Sequence, residues 1–405
     1  MTSATAADFS DDTKARANVR RLAAAQAMTG ANTAVIYATG SIVGATLAPD
    51  VALATLPISI YVLGQAVGTL PTGAISRLYG RRVAFLIGAG CGALCGVLAC
   101  LAIFYGSFTL FCVATFFGGT YGAVAQSYRF AATDGASPAY RPKAISLVLA
   151  GGIFAGLLGP QLVQWTMDCW PPYLFAASFV VQTGVALVAI AVLSGVHAPK
   201  PPATDFHGGR PLFEVVRQPR FIAAVVCGTV SYTMMNFMMT SAPLAMKFCG
   251  LPIGASNFGI QWHIVAMYGP SFFTGALIVR FGAPAMVAVG LGLEALAAAI
   301  GLSGITPMHF WAALIVMGLG WNFGFIGASA LVVETHRPQE RNKVQAFNDF
   351  LVFGTMALTS FASGHVLASH GWAVVNLLIF PPVAVALICV ALLVLHRRRT
   401  ARTGF

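Results

Sequence analysis

Twelve separate stretches of this 405-residue chain are apolar for long enough to cross a lipid bilayer. A helix needs about 20 mainly apolar residues to span the hydrocarbon core. Runs of that length fall near 22–48, 51–73, 83–104, 107–131, 144–165, 172–196, 220–243, 255–279, 284–304, 307–332, 346–368 and 372–395. Lipid offers no partner for an unpaired backbone N–H or C=O, so such runs must close their own hydrogen bonds as helices. With 58% hydrophobic and only 9% charged residues, the chain lacks the polar surface of a soluble protein. The first run follows a polar start (Asp8, Asp11, Asp12, Lys14, Arg16) and has no small-residue cleavage pattern, so it is expected to be a helix and not a cleaved signal.

Charge placement orients the spans. Lys14, Arg16, Arg20 and Arg21 precede the first. Arg77, Arg81 and Arg82 lie between the second and third, and Arg141 and Lys143 before the fifth. Arg280, Arg337, Arg341, Lys343 and Arg397 to Arg399 continue the pattern, and only Lys247 departs from it. The positive-inside rule puts this side, and both termini, in the cytoplasm of a multi-pass inner-membrane protein. The net charge of +11 is then spread over membrane-facing turns. Membrane lipid is the expected partner of these residues and nucleic acid is not, because no basic patch is interleaved with aromatics in a soluble segment. Six of the eight cysteines (Cys91, Cys95, Cys100, Cys112, Cys227, Cys389) fall within spans, where they act as small apolar groups, and no disulfide framework is expected.

The chain repeats itself weakly. Gly73-Ala-Ile-Ser-Arg77-Leu-Tyr-Gly80 is echoed by Gly275-Ala-Leu-Ile-Val-Arg280-Phe-Gly282, and Arg141-Pro-Lys143 by Arg341-Asn-Lys343. Internal repeats of this kind are frequent in secondary transporters, with the substrate site near the midplane between the halves. The predicted fold is an all-α membrane protein of twelve transmembrane helices in two pseudo-symmetric six-helix bundles. Residues 1–21 form a cytoplasmic tail, 22–196 the N-terminal bundle, 197–219 a cytoplasmic linker, 220–395 the C-terminal bundle, and 396–405 a basic tail. Twelve spans and Gly73-x-x-x-Arg77-x-x-Gly80-Arg81-Arg82 after span 2 resemble the major facilitator superfamily along essentially the whole chain. That superfamily normally carries an aspartate where Arg77 stands, so the lock it provides must be built here from another carboxylate, with Glu334 and Asp349 the candidates by topology.

Two spacings suggest chemistry. Met235 and Met239 lie one helical turn apart in span 7, and His263 and Met267 one turn apart in span 8. Residues i and i+4 share a helix face, and thioether and imidazole donors without a carboxylate suit cuprous copper. Adaptable packing explains the methionines taken alone. A histidine inside a membrane is costly without partners, and this favours a site. Spans 7 and 8, joined by a short elbow, are expected to be antiparallel neighbours.

The paired motifs resemble the CcoA-type bacterial copper importers. The resemblance implies that Met235, Met239, His263 and Met267 bind or relay copper, with Cys227 and Cys249 as auxiliary thiols. It also implies copper import for assembly of a haem–copper cytochrome c oxidase, with a cytoplasmic copper chaperone or exporter downstream. Copper would be cargo, and no cofactor is expected. A sister group with the same fold resembles flavin transporters, so the alternative is a carrier for an organic solute such as a flavin or a drug.

Other polar residues inside spans are Asn32 and Tyr37, Tyr61 and Gln65, Trp321 and Asn322, and Glu294. They either line a cavity or bond between helices. Asp349 is expected to pair structurally with Arg341 or Lys343. No hydrolase triad, phosphate loop or nucleotide motif is present, so the chain is not read as an enzyme.

Overall fold

The computed structural model describes residues 12–50, 53, 56–197 and 209–403. Residues 198–208 of the expected linker and parts of both tails lie outside the described residues. Span 1 is Thr13–Leu47, span 2 Leu56–Tyr79, span 3 Arg81–Tyr105 and span 4 Phe108–Gln126, the last prolonged by the turn Tyr128–Ala131. Span 5 comprises Arg141–Ala150 and Gly152–Thr166, and span 6 is Ala176–Ser194. A short helix, Leu212–Val216, leads into span 7, Pro219–Phe248. Span 8 is Ile253–Tyr268 followed by Ser271–Phe281, span 9 is Ala283–Ser303 and span 10 Pro307–Val333. The helix Arg341–Leu377 breaks at Gly371, where φ is 78°, so span 11 ends there and span 12 continues through Phe380–Thr403.

Among the described residues, nine helices are long and apolar enough to cross a membrane, and the bent pair within span 8 makes a tenth. Span 1 and the portion of Arg341–Leu377 before Gly371 supply the remaining two by length. Helix ends run past the apolar runs: span 1 starts at Thr13 and span 12 reaches Thr403. Inside span 8, Gly269-Pro270 produces a 42° bend, since proline cannot donate to the preceding turn.

Each half packs on itself, with span 2 against 4, 3 against 4 and 6, and 1 against 5 and 6. In the second half, span 9 lies against 10, 7 against 11, 10 and 12, and 8 chiefly against 10. The halves meet where span 2 crosses span 11 and where the end of span 8 crosses the start of span 5. The sequence repeat explains these crossings. A β-carbon added at Gly73 would come 2.2 Å from the Ala346 β-carbon and 3.2 Å from the Asn342 carbonyl, and one at Gly275 would come 2.6 Å from the Lys143 α-carbon. Each repeated glycine thus sits on the start of the opposite half's repeated span. Gly80 and Gly282, which end the two motifs, both have positive φ (91° and 85°) and turn the chain into the next helix.

The end of the molecule carrying these motifs is its basic face. There Glu340 is fully buried and takes Arg210 through both oxygens, at 3.0 and 2.8 Å, while Arg337 N–H donates to it at 3.0 Å. The Arg210 guanidinium holds the Glu340 carboxyl at a pKa of about 2. The last described residues before span 7 are therefore docked on the 10–11 turn.

Candidate substrate site

Of the six candidate metal ligands, Cys227, Met235 and Met267 belong to one buried core with Met239 and Cys249 packed against it, while His263 bonds to span 10. His263 is fully buried, and its Nδ1 lies 2.6 Å from the Leu314 carbonyl of span 10. A carbonyl only accepts, so Nδ1 carries the proton and Nε2 is left without a hydrogen-bond partner. The backbone of the His263–Met267 turn rests on Gly318 of span 10, where an added β-carbon would lie 2.6 Å from the His263 carbonyl and 3.1 Å from Met267 N. Span 8 is thus fastened mainly to span 10, and the expected close pairing of spans 7 and 8 gives way to it. Cys227 is buried with its Sγ 3.6 Å from the Ala386 carbonyl of span 12. Met235 is buried in span 7, and Met239 and Cys249 are half-buried against the same core. Among the described residues, no group of three or more His, Cys, Asp or Glu side chains gathers as a metal site.

What does converge between the halves is aromatic. On the N-terminal side, Tyr37 and Tyr61 meet edge to face with centroids 5.6 Å apart, and the Tyr61 hydroxyl shares a 2.9 Å hydrogen bond with Thr33. On the C-terminal side, Trp321 and Phe325 stack at 5.2 Å, one turn apart on span 10. Tyr232 of span 7 packs edge-on against Trp321, Phe325 and Phe353, and Tyr268 of span 8 against Trp321 at 5.5 Å. Tyr268 also abuts the N-terminal half, where a β-carbon added at Gly152 of span 5 would lie 2.6 Å from its ring. Tyr232 and Tyr268 are half-buried and Tyr37 is 37% exposed, which leaves ring surface open to a ligand. Buried polar atoms without partners lie on the same spans: the Asn32 amide, Asn236 Nδ2 and the Trp321 indole N–H. Such atoms are expensive when left unmet, and they suit a planar aromatic solute with a polar edge.

Below the rings the halves are closed. Arg129 of span 4 lies over the Phe325 ring at 4.7 Å, donates to Ser329 at 3.2 Å and pairs with Asp349 of span 11 at 2.5 Å. Asp349 thus pairs across the halves with Arg129, and not with Arg341 or Lys343 as the sequence suggested. Arg81 bonds Asp134 at 2.6 Å and Gln345 at 2.7 Å, and Arg341 reaches Asp134 at 3.3 Å. Glu334 instead meets Arg220 within the C-terminal half. The bonds of Arg81 to Gln345, Arg129 to Ser329 and Asp349, and Arg341 to Asp134 join the two halves at the basic face. These contacts close the molecule at the basic face, beneath the rings.

Tyr37, Tyr61 and Trp321 were legible as polar aromatics inside spans. Tyr232, Tyr268, Phe325 and Phe353 were missed, although the Trp321/Phe325 spacing of one turn was a readable signal. Asn322 does not line the site. It clamps the span 8 break, accepting from Thr274 at 2.6 Å and donating to the Met267 carbonyl at 2.5 Å and to Ser271 at 2.6 Å.

Twelve spans in two halves, closed at one end beneath an inter-half ring cluster, define a membrane transporter and not an enzyme. The Major Facilitator Superfamily model matches residues 22–271 and again 254–404, and the chain belongs to that superfamily. It is 48% identical over 383 residues to the riboflavin transporter RfnT of Brucella anthropi, covering 94% of this chain and 96% of that one. It is 28% identical to YdeG, an uncharacterized MFS-type transporter of Bacillus subtilis, over 84% of each chain. The proton:xylose symporter XylE shares the fold, with a TM-score of 0.78 at 14% identity over 93% of this chain and 95% of that one.

The comparison overturns the copper reading. The relative matched along almost its full length at 48% identity transports a flavin. Copper import, copper as cargo, metal binding and supply of an oxidase are therefore not supported, and the comparison favours the alternative of an organic solute such as a flavin.

Proposed function

We propose that this chain carries riboflavin, or a flavin with the same ring system, across a bacterial inner membrane, with the basic face and both termini in the cytoplasm. The observation that carries the reading is the 48% identity to a riboflavin transporter over nearly the whole of both chains. The ring cluster supports it chemically. The flavin ring system is flat and largely apolar, with a hydrogen-bonding pyrimidine edge and a hydroxylated side chain. Aromatic side chains bind such a face by stacked or edge-on contacts, and the unpartnered amides of Asn32 and Asn236 offer donors and acceptors for its edge.

Uptake of labelled riboflavin into a host disabled for its own flavin synthesis and uptake tests the reading directly. Cells with the protein should accumulate the vitamin and grow at limiting supply. Equal uptake with and without normally inserted protein would refute it. Tyr37→Leu and Tyr268→Leu, at rings that are not fully buried, should each weaken apparent affinity about 3- to 10-fold, the worth of one aromatic contact.

A further inference from the structure

Glu294 occupies the middle of span 9, fully buried, in a place the flavin reading does not use. Ser231 of span 7 donates a hydrogen bond to its Oε1, and Oε2 has no partner. The surrounding wall is glycine. A β-carbon at Gly320 would lie 2.9 Å from Glu294 Cγ, and one at Gly324 would lie 2.5 Å from Ser231 Oγ and 3.6 Å from Glu294 Oε1. Gly290 lets the two helices close beside it, since its β-carbon would meet Gly324 N at 2.3 Å.

The residues next in sequence to this pocket build the aromatic wall. Gly320 precedes Trp321, Gly324 precedes Phe325 and Ser231 precedes Tyr232. The carboxyl therefore sits behind the rings, on another face of the same two helices. From span 7 the other titratable group in reach is the Cys227 thiol, with Cys389 of span 12 beyond it. Span 10 brings Gly320 and Gly324 against the carboxyl, and among the described residues no Lys, Arg or His forms an ion pair with Glu294.

A carboxylate without a cation is strongly disfavoured inside a membrane. The form with spans 7, 9 and 10 closed around the group thus holds a neutral acid, its proton on Oε2 and its Oε1 accepting from Ser231. We propose that Glu294 is the proton-binding site of a proton-coupled transport cycle, filled in the form sealed at the basic face and emptied when spans 7 and 10 move. In the emptying step the Oε2–H bond breaks, the proton passes to water, and the carboxylate keeps the electron pair. Flavin contact with Trp321 and Tyr232 and proton occupancy at Glu294 then bias the same two helices from opposite faces.

The proposal rests on the flavin reading, and the experiment separates the two. Purified protein in liposomes is assayed for riboflavin exchange at equal pH and for accumulation against an imposed pH gradient. Wild type should do both, whereas Glu294→Gln should exchange like wild type and lose the response to the gradient. A gradient response retained in Glu294→Gln, or absent from wild type, overturns the proposal. Infrared titration of ligand-free protein decides the case of a variant inactive in both assays. A carboxyl stretch present in wild type and missing from Glu294→Gln supports the site, and its persistence overturns it. Wild type that fails even to exchange riboflavin would sink the flavin reading alone, because the infrared measurement needs no substrate.

Discussion

His336 joins a titratable group to the seal between the halves. Its Nδ1 lies 3.2 Å from the Arg337 carbonyl and so carries the proton, and its Nε2 accepts from Gln345 Nε2 at 3.0 Å. That bond orients the Gln345 carbonyl oxygen toward Arg81, 2.7 Å away on the other half. Burial lowers the imidazole pKa from 6.5 to about 4. Between those values the unfolded chain takes up a proton that the folded chain refuses, so stability is full above pH 6.5 and falls as pH drops toward 4. The melting temperature of purified protein should decline by a few degrees across that window, and His336→Gln should flatten the decline. Parallel profiles for the two proteins would show that the ring is a bystander. Residue identity was an uneven guide in this chain. The spacing of Met235, Met239, His263 and Met267 reads correctly as helix faces, yet a face does not name the helix it meets. His263 turned out to answer Leu314 on span 10, a pairing that sequence separation hides.

At the scale of elements, hydropathy was enough to locate the spans, because the bilayer tests every apolar run for length. It averaged over the break at Gly269-Pro270 and could not tell that span 8 leans on spans 10 and 5 in preference to span 7. The repeated glycine motifs were legible, and their purpose emerges only in three dimensions, where each lies under a span of the opposite half. Gly275 gives the sharpest consequence. A β-carbon there would strike the Lys143 α-carbon at 2.6 Å and the Pro142 carbonyl at 2.8 Å, and backbone atoms cannot swing aside as a flexible side chain can. Overpacking of this kind costs about 1–3 kcal/mol. Because the strain exists only when spans 5 and 8 are closed, Gly275→Val should disfavour the sealed form and cut transport by roughly tenfold. Gly292, which has open space around it, is the matched control, and Gly292→Val should transport within about twofold of wild type, as surface changes usually do. Equal losses in both variants would point to a general intolerance of valine in these helices.

For the whole molecule, the decisive balance is between this form and one open at the basic face. The superfamily-like motif carries Arg77 in place of an aspartate, and among the described residues Arg77 forms no ion pair. The burden falls on Arg129 and Asp349, which are 1% and 4% exposed and lie on opposite halves. Breaking a buried pair by removing one partner costs about 3–5 kcal/mol, because the remaining charge is stranded in a poor solvent. Here that cost applies only while the halves are closed, since opening admits water to Arg129. Asp349→Asn should therefore shift the population toward the basic-face-open form by about 100-fold or more, even after a generous discount for the bonds Arg129 keeps to Ser329 and Gln126. A cysteine at Ser127, beside the small inter-half cavity lined by Thr72, Arg81 and Asp349, reports the change once the eight native cysteines are replaced. Its labelling from the basic side should accelerate in Asp349→Asn and return toward the parent rate in the double variant Arg129→Gln, Asp349→Asn, where no charge is left to strand. If the double variant labels as fast as the single one, the pair acts by shape and not by charge. If neither differs from the parent, the seal is held by glycine packing alone.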